Sequence, residues 1–314
     1  MVADDQIREI VQAVLAKLSE QGAVSVGNTG NRQVPDRCEE ACSGKPATGA
    51  SDGGCYVQDE IEDMEDLALV DLQKEILVPQ PRDMAALEFF KSTTPARIGV
   101  WRTGPRPLTR TILRFRADHA VAQDAVFSEI DEGLADEFDM LPVKSMVGSK
   151  DEYLTRPDLG KKLSPESVDQ IRRHCPSGAD VQIIAADGLS SKAIKANLPH
   201  ILPALKEGLK VEGLTTGKDI LVRYGRVEIM DQIGIIVQAK VVVLLVGERP
   251  GLGTAESMSA YIIYRPHEGT LIADHTVVSN IHKGGTPPAE AGAHLAGIIR
   301  KIYDARVSGV KLSL

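Results

Sequence analysis

The segment VVVLLVGERPGLGTAES, residues 241–257, joins a run of aliphatic side chains to a stretch rich in glycine and charge. The run is short and β-branched, which predicts a buried strand that ends near Gly247. Glu248 and Arg249 follow side by side, and they predict either a simple ion pair or a carboxylate that accepts hydrogen bonds from amide groups of a ligand. The glycines permit close backbone approach to another group, and their spacing matches neither the dinucleotide-binding fingerprint nor the Walker P-loop.

The chain after Tyr153 alternates aliphatic and helical patterns. Aliphatic runs occupy residues 181–188, 219–229 and 240–251, and helical patterns occupy residues 190–198, 201–213, 231–240 and 289–306. This alternation predicts an α/β fold with a largely parallel sheet flanked by helices, similar to a Rossmann fold. Ligands bind such sheets at the carboxyl ends of the strands. The dipeptides at those ends are Asp187-Gly188, Gly225-Arg226 and Gly247-Glu248.

Three parts precede this α/β domain, which we place at residues 153–314. Residues 1–21 predict an amphipathic helix, because their apolar residues recur at helical spacing. Residues 22–58 are rich in small and polar residues and predict a flexible linker, and residues 59–152 predict a small helical domain. The tethered N-terminal helix either docks on another protein or packs back on the body of the chain.

Composition narrows the class of protein. The chain has 314 residues and a formal net charge of −8, which argues against nucleic acid or an anionic membrane as a partner. No apolar run approaches the roughly 20 residues needed to cross a bilayer, and the N-terminus lacks the features of a secretory signal. We therefore expect a cytoplasmic protein that binds neither membranes nor nucleic acid.

Two sets of residues resemble metal sites only in part. Cys38, Cys42 and Cys55 have no histidine nearby, so they do not predict a zinc site. The segment NIHKGG keeps the spacing of the cobalt-ligating motif D-x-H-x-x-G, but Asn280 replaces the aspartate that would orient His282. We predict no metal ligand in this chain. We also find no Ser-His-Asp or Cys-His arrangement, and we assign no catalytic residue.

Four arginines recur at every fourth position in the predicted helical domain: Arg102, Arg106, Arg110 and Arg114. They predict either a solvated basic edge or a docking surface for an acidic partner or a phosphate.

Five motifs in order resemble the small (light) subunit of ethanolamine ammonia-lyase. They are LTRPDLG (154–160), IIAADGLSSKAI (183–194), VRYGRVEIMDQIG (222–234), LLVGERPGLG (244–253) and SNIHKGGTPP (279–288). The resemblance extends from about Ala96 to the C-terminus.

This resemblance implies an adenosylcobalamin-dependent conversion of ethanolamine to acetaldehyde and ammonia. It implies that a large subunit holds the substrate and that the small subunit closes over the cobalamin between them. The contacts it implies in this chain are Val227, Glu248 and Val277, with Arg226 as an additional contact. It also implies that the cofactor's own base is the lower cobalt ligand, so that His282 is not one.

The N-terminal helix resembles the short peptides that carry enzymes into bacterial microcompartments, which places the protein in such a compartment within the cytoplasm. Two rival hypotheses remain. A stand-alone, nucleotide-dependent α/β oxidoreductase would need no partner protein. A purely structural adaptor would bind no cofactor and would recruit its partner through the first helix.

Overall fold

The strand predicted from the aliphatic run at residue 241 lies inside a six-stranded sheet. The computed structural model describes residues 74–94, 96–131 and 133–312. All seven residues of this strand, Val241–Gly247, are buried, because helices cover both faces of the sheet. The predicted helix 1–21, the predicted linker 22–58 and the three clustered cysteines lie outside the described residues.

The described residues form the following elements. In chain order, the strands are β1 (Arg102–Thr103), β2 (Arg106–Pro107), β3 (Leu141–Lys144), β4 (Val181–Ala186), β5 (Ile220–Arg223), β6 (Val241–Gly247), β7 (Met258–Tyr264) and β8 (Thr276–Ile281). The α-helices are α1 (Met84–Thr93), α2 (Thr109–Phe127), α3 (Gly133–Glu137), α4 (Lys150–Thr155), α5 (Pro165–His174), α6 (Ser191–Val211), α7 (Ile229–Val237) and α8 (Pro288–Ala305). Short 3₁₀ turns occur at Leu159–Lys161, Ile272–Asp274 and Gly309–Lys311.

The sheet order is β3-β5-β4-β6-β7-β8, and the sheet is mixed. The first four strands in this order pair in parallel, whereas β7 pairs antiparallel with β6, and β8 antiparallel with β7. The predicted α/β class is therefore confirmed, with two antiparallel strands added at one side of a parallel sheet. The strand β3 falls within residues 59–152, which we predicted as helical, so the sheet begins before residue 153.

Two hydrophobic layers sandwich the sheet. Along β6, Val241, Val243 and Leu245 face the layer that contains α6 and α8. The alternate residues Val242 and Leu244 face the layer that contains α5 and α7. This alternation is the period-2 geometry of a strand that is buried on both faces.

The helix α6 spans two helical segments that the sequence separated, and it contains Pro199 and Pro203. Proline inside a helix removes a hydrogen-bond donor and destabilises it. The helix continues because its apolar face packs against the sheet and α8. Ser190 is its N-cap and accepts a hydrogen bond from Ala193 N at 3.2 Å.

One predicted strand and one predicted helix have different ends in the structure. The strand predicted over 219–229 stops at Arg223, because Tyr224 adopts a left-handed conformation with φ 59°. The helix predicted over 231–240 begins earlier, at Ile229, and ends at Val237, directly before the left-handed Gln238. Among the described residues, no helix combines the length and the hydropathy needed to cross a bilayer.

Candidate cofactor-binding site

A cavity of about 230 Å³ opens at the carboxyl ends of three parallel strands, β4, β5 and β6. This is where the sequence predicted a ligand. The cavity brings together all three dipeptides expected at this edge, apart from the buried Asp187 beneath it. The lining residues used below are Tyr153, Gly188, Arg226, Val227, Glu248 and Tyr261.

Two glycines allow the ends of β4 and β6 to touch beneath this cavity. A β-carbon on Gly188 would lie 2.2 Å from Gly247 O, and one on Gly247 would lie 2.1 Å from Ser190 O. Packing within the chain therefore leaves no room for a side chain at Gly247. Gly251 and Gly253, in contrast, have open space where a β-carbon would stand. We expected the glycines after β6 to admit a ligand, and for Gly247 the protein's own backbone occupies that space.

A buried carboxylate fixes the turn that follows β5. Asp187 is fully buried and accepts hydrogen bonds from Tyr224 N at 2.9 Å and Gly225 N at 3.0 Å. Burial raises its pKa to about 6, although these hydrogen bonds and the charge of Lys150 oppose the rise. The turn carries Arg226 and then Val227 into the cavity wall.

Tyr153 closes one side of the cavity and holds the same turn. Its hydroxyl donates to Gly225 O at 3.0 Å, and its backbone carbonyl accepts from Arg226 Nη2 at 3.0 Å. The guanidinium of Arg226 also lies 4.2 Å from the centre of the Tyr153 ring, a favourable cation–π geometry. Arg226 is thus held in the wall of the cavity by Tyr153.

The carboxylate of Glu248 is held by donors on β7, on β8 and on the residue just before β7. It accepts from Ser257 Oγ at 2.6 Å, from Asn280 N at 3.2 Å and from the Ser259 hydroxyl. Burial alone would raise the pKa of Glu248, but these hydrogen bonds outweigh it and hold the pKa below its usual value. Within the described part of the chain Glu248 makes no ion pair with Arg249. Its ionised carboxylate remains an acceptor at the cavity.

The other two predicted contacts are Val227, in the turn after β5, and Val277, on β8. Val227 lines the cavity and packs partly against the hydrophobic layer below. Val277 is 44% exposed and stands opposite Tyr261 in the β7–β8 register. Directly opposite residues share one face of a sheet, so Val277 extends the surface that Tyr261 begins at the cavity.

The loop after β6 is anchored from below by two buried side chains of α6 and its cap. Ser190 Oγ donates to Ala255 O at 2.6 Å, and Asn197 Nδ2 donates to Glu256 O at 2.7 Å. Arg97 also donates to Leu252 O at 2.7 Å. The loop that carries Glu248 away from the sheet is therefore fixed by three side chains, two from α6 and its cap and one from Arg97.

The segment NIHKGG forms a tight turn with its own internal contacts. His282 Nε2 lies 2.8 Å from Asn280 Oδ1, and Gly284 N donates to His282 Nδ1 at 3.1 Å. Nδ1 is thus an acceptor and Nε2 a donor, which engages both ring nitrogens. Asn280 is left-handed, with φ 63°, and a β-carbon on Gly285 would lie 2.3 Å from Asn280 O. The motif has a structural role in this turn.

The arginine repeat divides between two environments. Arg110 and Arg114 lie on α2. Arg110 pairs with Glu75 at 2.6 Å, and Arg114 pairs with Asp118 at 3.2 Å. Arg102 and Arg106 lie on the β1–β2 hairpin and are exposed. Of the four arginines, Arg102 and Arg106 on this hairpin are therefore the ones that suit the predicted docking surface.

Comparison with known proteins identifies the family of this chain. The family model described as "Ethanolamine ammonia-lyase light chain (EutC)" matches residues 84–313, which include every element of the sheet and the cavity. The chain belongs to the ethanolamine ammonia-lyase light chain family.

Curated relatives in this family cover most of the chain. An ethanolamine ammonia-lyase small subunit from Listeria innocua is 54% identical over 79% of this chain and 84% of its own length. The small subunits from Clostridioides difficile and Clostridium tetani are 50% and 49% identical, over 79% and 82% of this chain and 85% and 87% of their own lengths. The family membership predicted from the five motifs is confirmed.

Sequence reasoning did not find several residues that build this light chain site. Tyr153 lies 72 positions from Gly225, and no predicted role was attached to Ser257 or Ser259. Asp187 was placed at the correct edge of the sheet, but its role in the turn after β5 was not predicted. An Asp-Gly pair directly after a buried strand is the one signal that pointed to it.

Proposed function

We propose that this chain is the small subunit of ethanolamine ammonia-lyase. Together with a large subunit, it would convert ethanolamine to acetaldehyde and ammonia. The observation that carries the proposal is the match of the family over residues 84–313, combined with a cavity at the sheet edge that gathers Val227 and Glu248. The family match does not favour a stand-alone nucleotide-dependent oxidoreductase.

The proposed cofactor is adenosylcobalamin, and its corrin amide arms suit the cavity. Val227 and Tyr261 offer apolar surface, and Glu248 offers an ionised acceptor for amide N–H groups. Ser257 occupies only one acceptor position on Glu248 Oε2, so a lone pair of that oxygen remains for a ligand. Val277 would extend the apolar contact along β8.

The size of the cavity supports a shared cofactor site. Its volume of about 230 Å³ is below the roughly 300–1,000 Å³ that encloses a drug-sized ligand. A corrin ring is larger than such ligands, so this chain would cover only part of it. A large subunit would then supply the remaining surface.

The proposed task of this chain is binding and shielding. When bound, adenosylcobalamin supplies the radical chemistry of the deamination. Glu248 stays ionised near neutral pH, because its pKa is lowered, and it therefore serves as an acceptor and not as a general acid. Tyr153 and Arg226 form a rigid wall that would keep water from one side of the cofactor.

The microcompartment hypothesis concerns residues 1–21, which lie outside the described part of the chain, and it stays a prediction. Deletion of residues 1–20 should abolish encapsulation and leave the activity of the assembled enzyme intact. Unchanged encapsulation would contradict it.

The adaptor hypothesis makes a different prediction, namely that the chain contributes nothing to cofactor binding.

Reconstitution tests the proposed function. This chain, a large subunit from the same family, adenosylcobalamin and ethanolamine are mixed, and acetaldehyde release is followed. Each protein is also assayed alone. Activity that requires both proteins supports the proposal. An assembled complex that binds cobalamin but leaves ethanolamine unchanged would contradict the substrate, and activity of this chain alone would favour the oxidoreductase.

A further inference from the structure

A lysine is buried beside the candidate cofactor site without a hydrogen bond. Lys150, the first residue of α4, is only 8% exposed, and its Nζ has no hydrogen-bond partner among the described residues. Nζ lies 5.1 Å from the centre of the Tyr153 ring and 6.0 Å from that of Tyr224. A buried ammonium is unfavourable unless other charges or dipoles compensate for it, so its surroundings must explain its presence.

Two carboxylates interact with this ammonium, and only one of them is paired with another cation. Glu129 is bound by the hydroxyl of Tyr224 and by the guanidinium of Arg223. Asp187, in contrast, accepts only backbone N–H groups. Burial lowers the pKa of Lys150 and raises the pKa of Asp187, and the charge of each group opposes the shift of the other. Lys150 therefore acts as a counter-charge to Asp187 through space.

Asp187 needs to be ionised for the contacts that it makes. Its two oxygens each accept a backbone N–H in the turn after β5, one from Tyr224 and one from Gly225. Tyr224 is left-handed, a conformation that destabilises a residue with a side chain and persists where the surroundings hold it. A protonated carboxyl has fewer acceptor positions and carries a proton that needs an acceptor of its own.

We propose that Lys150 is a positioning residue whose ammonium keeps Asp187 ionised, so that Asp187 holds the turn of residues 224–227 in the conformation that the cofactor site requires. Lys150 touches neither the cavity nor, on this account, the cofactor. It acts through Asp187 and the backbone, and the proposal rests on the proposed function of the cavity.

The proposal implies a specific dependence of cofactor affinity on pH. Burial raises the pKa of Asp187 to about 6, against the opposing effects of its N–H donors and Lys150. Affinity should therefore fall as the pH drops through about 6. The other titratable or charged groups around the pair are Glu129, Tyr153, Arg223, Tyr224 and Arg226.

Removal of the ammonium tests this dependence in the assembled enzyme. Cobalamin affinity of the complex between the full-length chain and the large subunit is measured from pH 5 to pH 9. We expect Lys150→Met to move the midpoint of the loss upward by about 1 pH unit or more, the usual effect of removing an opposite charge. Lys150→Arg keeps the charge and should restore the midpoint. Lys195→Met, which removes an exposed lysine on α6, should leave it unchanged.

A second measurement does not depend on the cofactor. The carboxyl ¹³C resonance of Asp187, assigned with Asp187→Asn, is titrated in the full-length chain alone. A higher midpoint in Lys150→Met than in the unmodified chain supports the proposal, and an unchanged midpoint overturns it. If the unmodified complex binds no cobalamin while the Asp187 midpoint still shifts, the proposed function fails and the charge pairing stands.

If Lys150→Met does not fold, the same question is tested with Lys150→Gln, measured alone and together with Asp187→Asn. In an Asp187→Asn chain there is no carboxylate to stabilise. The substitution Lys150→Gln should then change cobalamin affinity less than twofold, whereas it should weaken affinity severalfold near pH 6.5 when Asp187 is present. Equal effects in the two backgrounds would overturn the proposal.

Discussion

Gly188 and Gly247 lie so close together that a β-carbon on Gly188 would stand 2.2 Å from the Gly247 carbonyl oxygen. The contact joins the end of β4 to the end of β6, and Leu189 N donates to Gly247 O at 3.0 Å in the same place. At this point of the candidate cofactor site, the two backbones are therefore in direct contact.

Substitution of Gly188 should destabilise the fold strongly. Gly188→Ala would create this clash at a residue that also has φ 53°, so we expect the free energy of unfolding to fall by about 3 kcal/mol. Gly251→Ala, which meets no atom within 4 Å, should change it by less than about 0.5 kcal/mol. Urea unfolding of the full-length chain measures both, and equal effects would refute the packing argument.

Glu248 should contribute to cofactor affinity. Glu248→Ala should weaken cobalamin binding in the assembled enzyme by about 1–3 kcal/mol, because amide groups of the cofactor would lose a buried acceptor. Glu256→Ala on the same loop is the matched control, since Glu256 is exposed and uses only its backbone. Unchanged affinity in Glu248→Ala would show that the carboxylate serves only Ser257, Ser259 and Asn280.

Ser190 should be worth more than an ordinary helix cap. Its hydroxyl caps α6 and also donates to Ala255 O in the loop after β6. Ser190→Ala should therefore lower the free energy of unfolding by about 2–3 kcal/mol, the sum of a lost cap and an orphaned acceptor. Ser149→Ala removes the cap of α4 alone and should cost about 1 kcal/mol. Chemical denaturation distinguishes the two values.

His275 should make stability depend on pH. Burial would lower the pKa of His275, but Asp231 at 3.0 Å from Nε2 and the Ile272 carbonyl outweigh it and raise the pKa above 6.5. The charged pair therefore adds stability that is fully present below about pH 6.5 and is lost as the pH rises through the folded-state pKa.

Asp231→Asn tests this pair. The substitution should lower the free energy of unfolding more at pH 5.5 than at pH 9, because only the protonated histidine gains from the carboxylate. His174, which is on the surface of α5, provides the control substitution His174→Gln, with no such difference between the two pH values. A loss from Asp231→Asn that is the same at both pH values would exclude the charged pair.

The sequence predicted the parallel part of the sheet because β4 and β6 are aliphatic runs followed by helices or turns. The antiparallel direction of β7 was missed, although a signal existed. Only ten residues, 248–257, separate β6 from β7, and a parallel return needs a longer crossover, usually a helix. A short connection without a helical pattern requires the next strand to run antiparallel.

Contacts between distant parts of the chain could not be predicted from the sequence. The hydroxyl of Tyr153 reaches Gly225 O, and the charge of Lys150 acts on Asp187, because α4 packs over the turn after β5. The spacing of these residues carries no period or motif. The left-handed conformation of Tyr224 was equally hidden, since a tyrosine there gives no indication of a turn.

The central claim is that the cofactor binds at this edge of the sheet. The most direct test is to fill the cavity with a larger side chain and to measure the cobalamin affinity of the assembled enzyme. Val227→Trp would place a large ring in the cavity, and Val211→Trp adds the same ring at a residue that is 79% exposed at the end of α6. With complex assembly verified for both, we expect Val227→Trp to lose at least tenfold in affinity, about 1.4 kcal/mol, and Val211→Trp to bind normally. Normal binding by Val227→Trp would contradict the placement of the cofactor at this edge of the sheet.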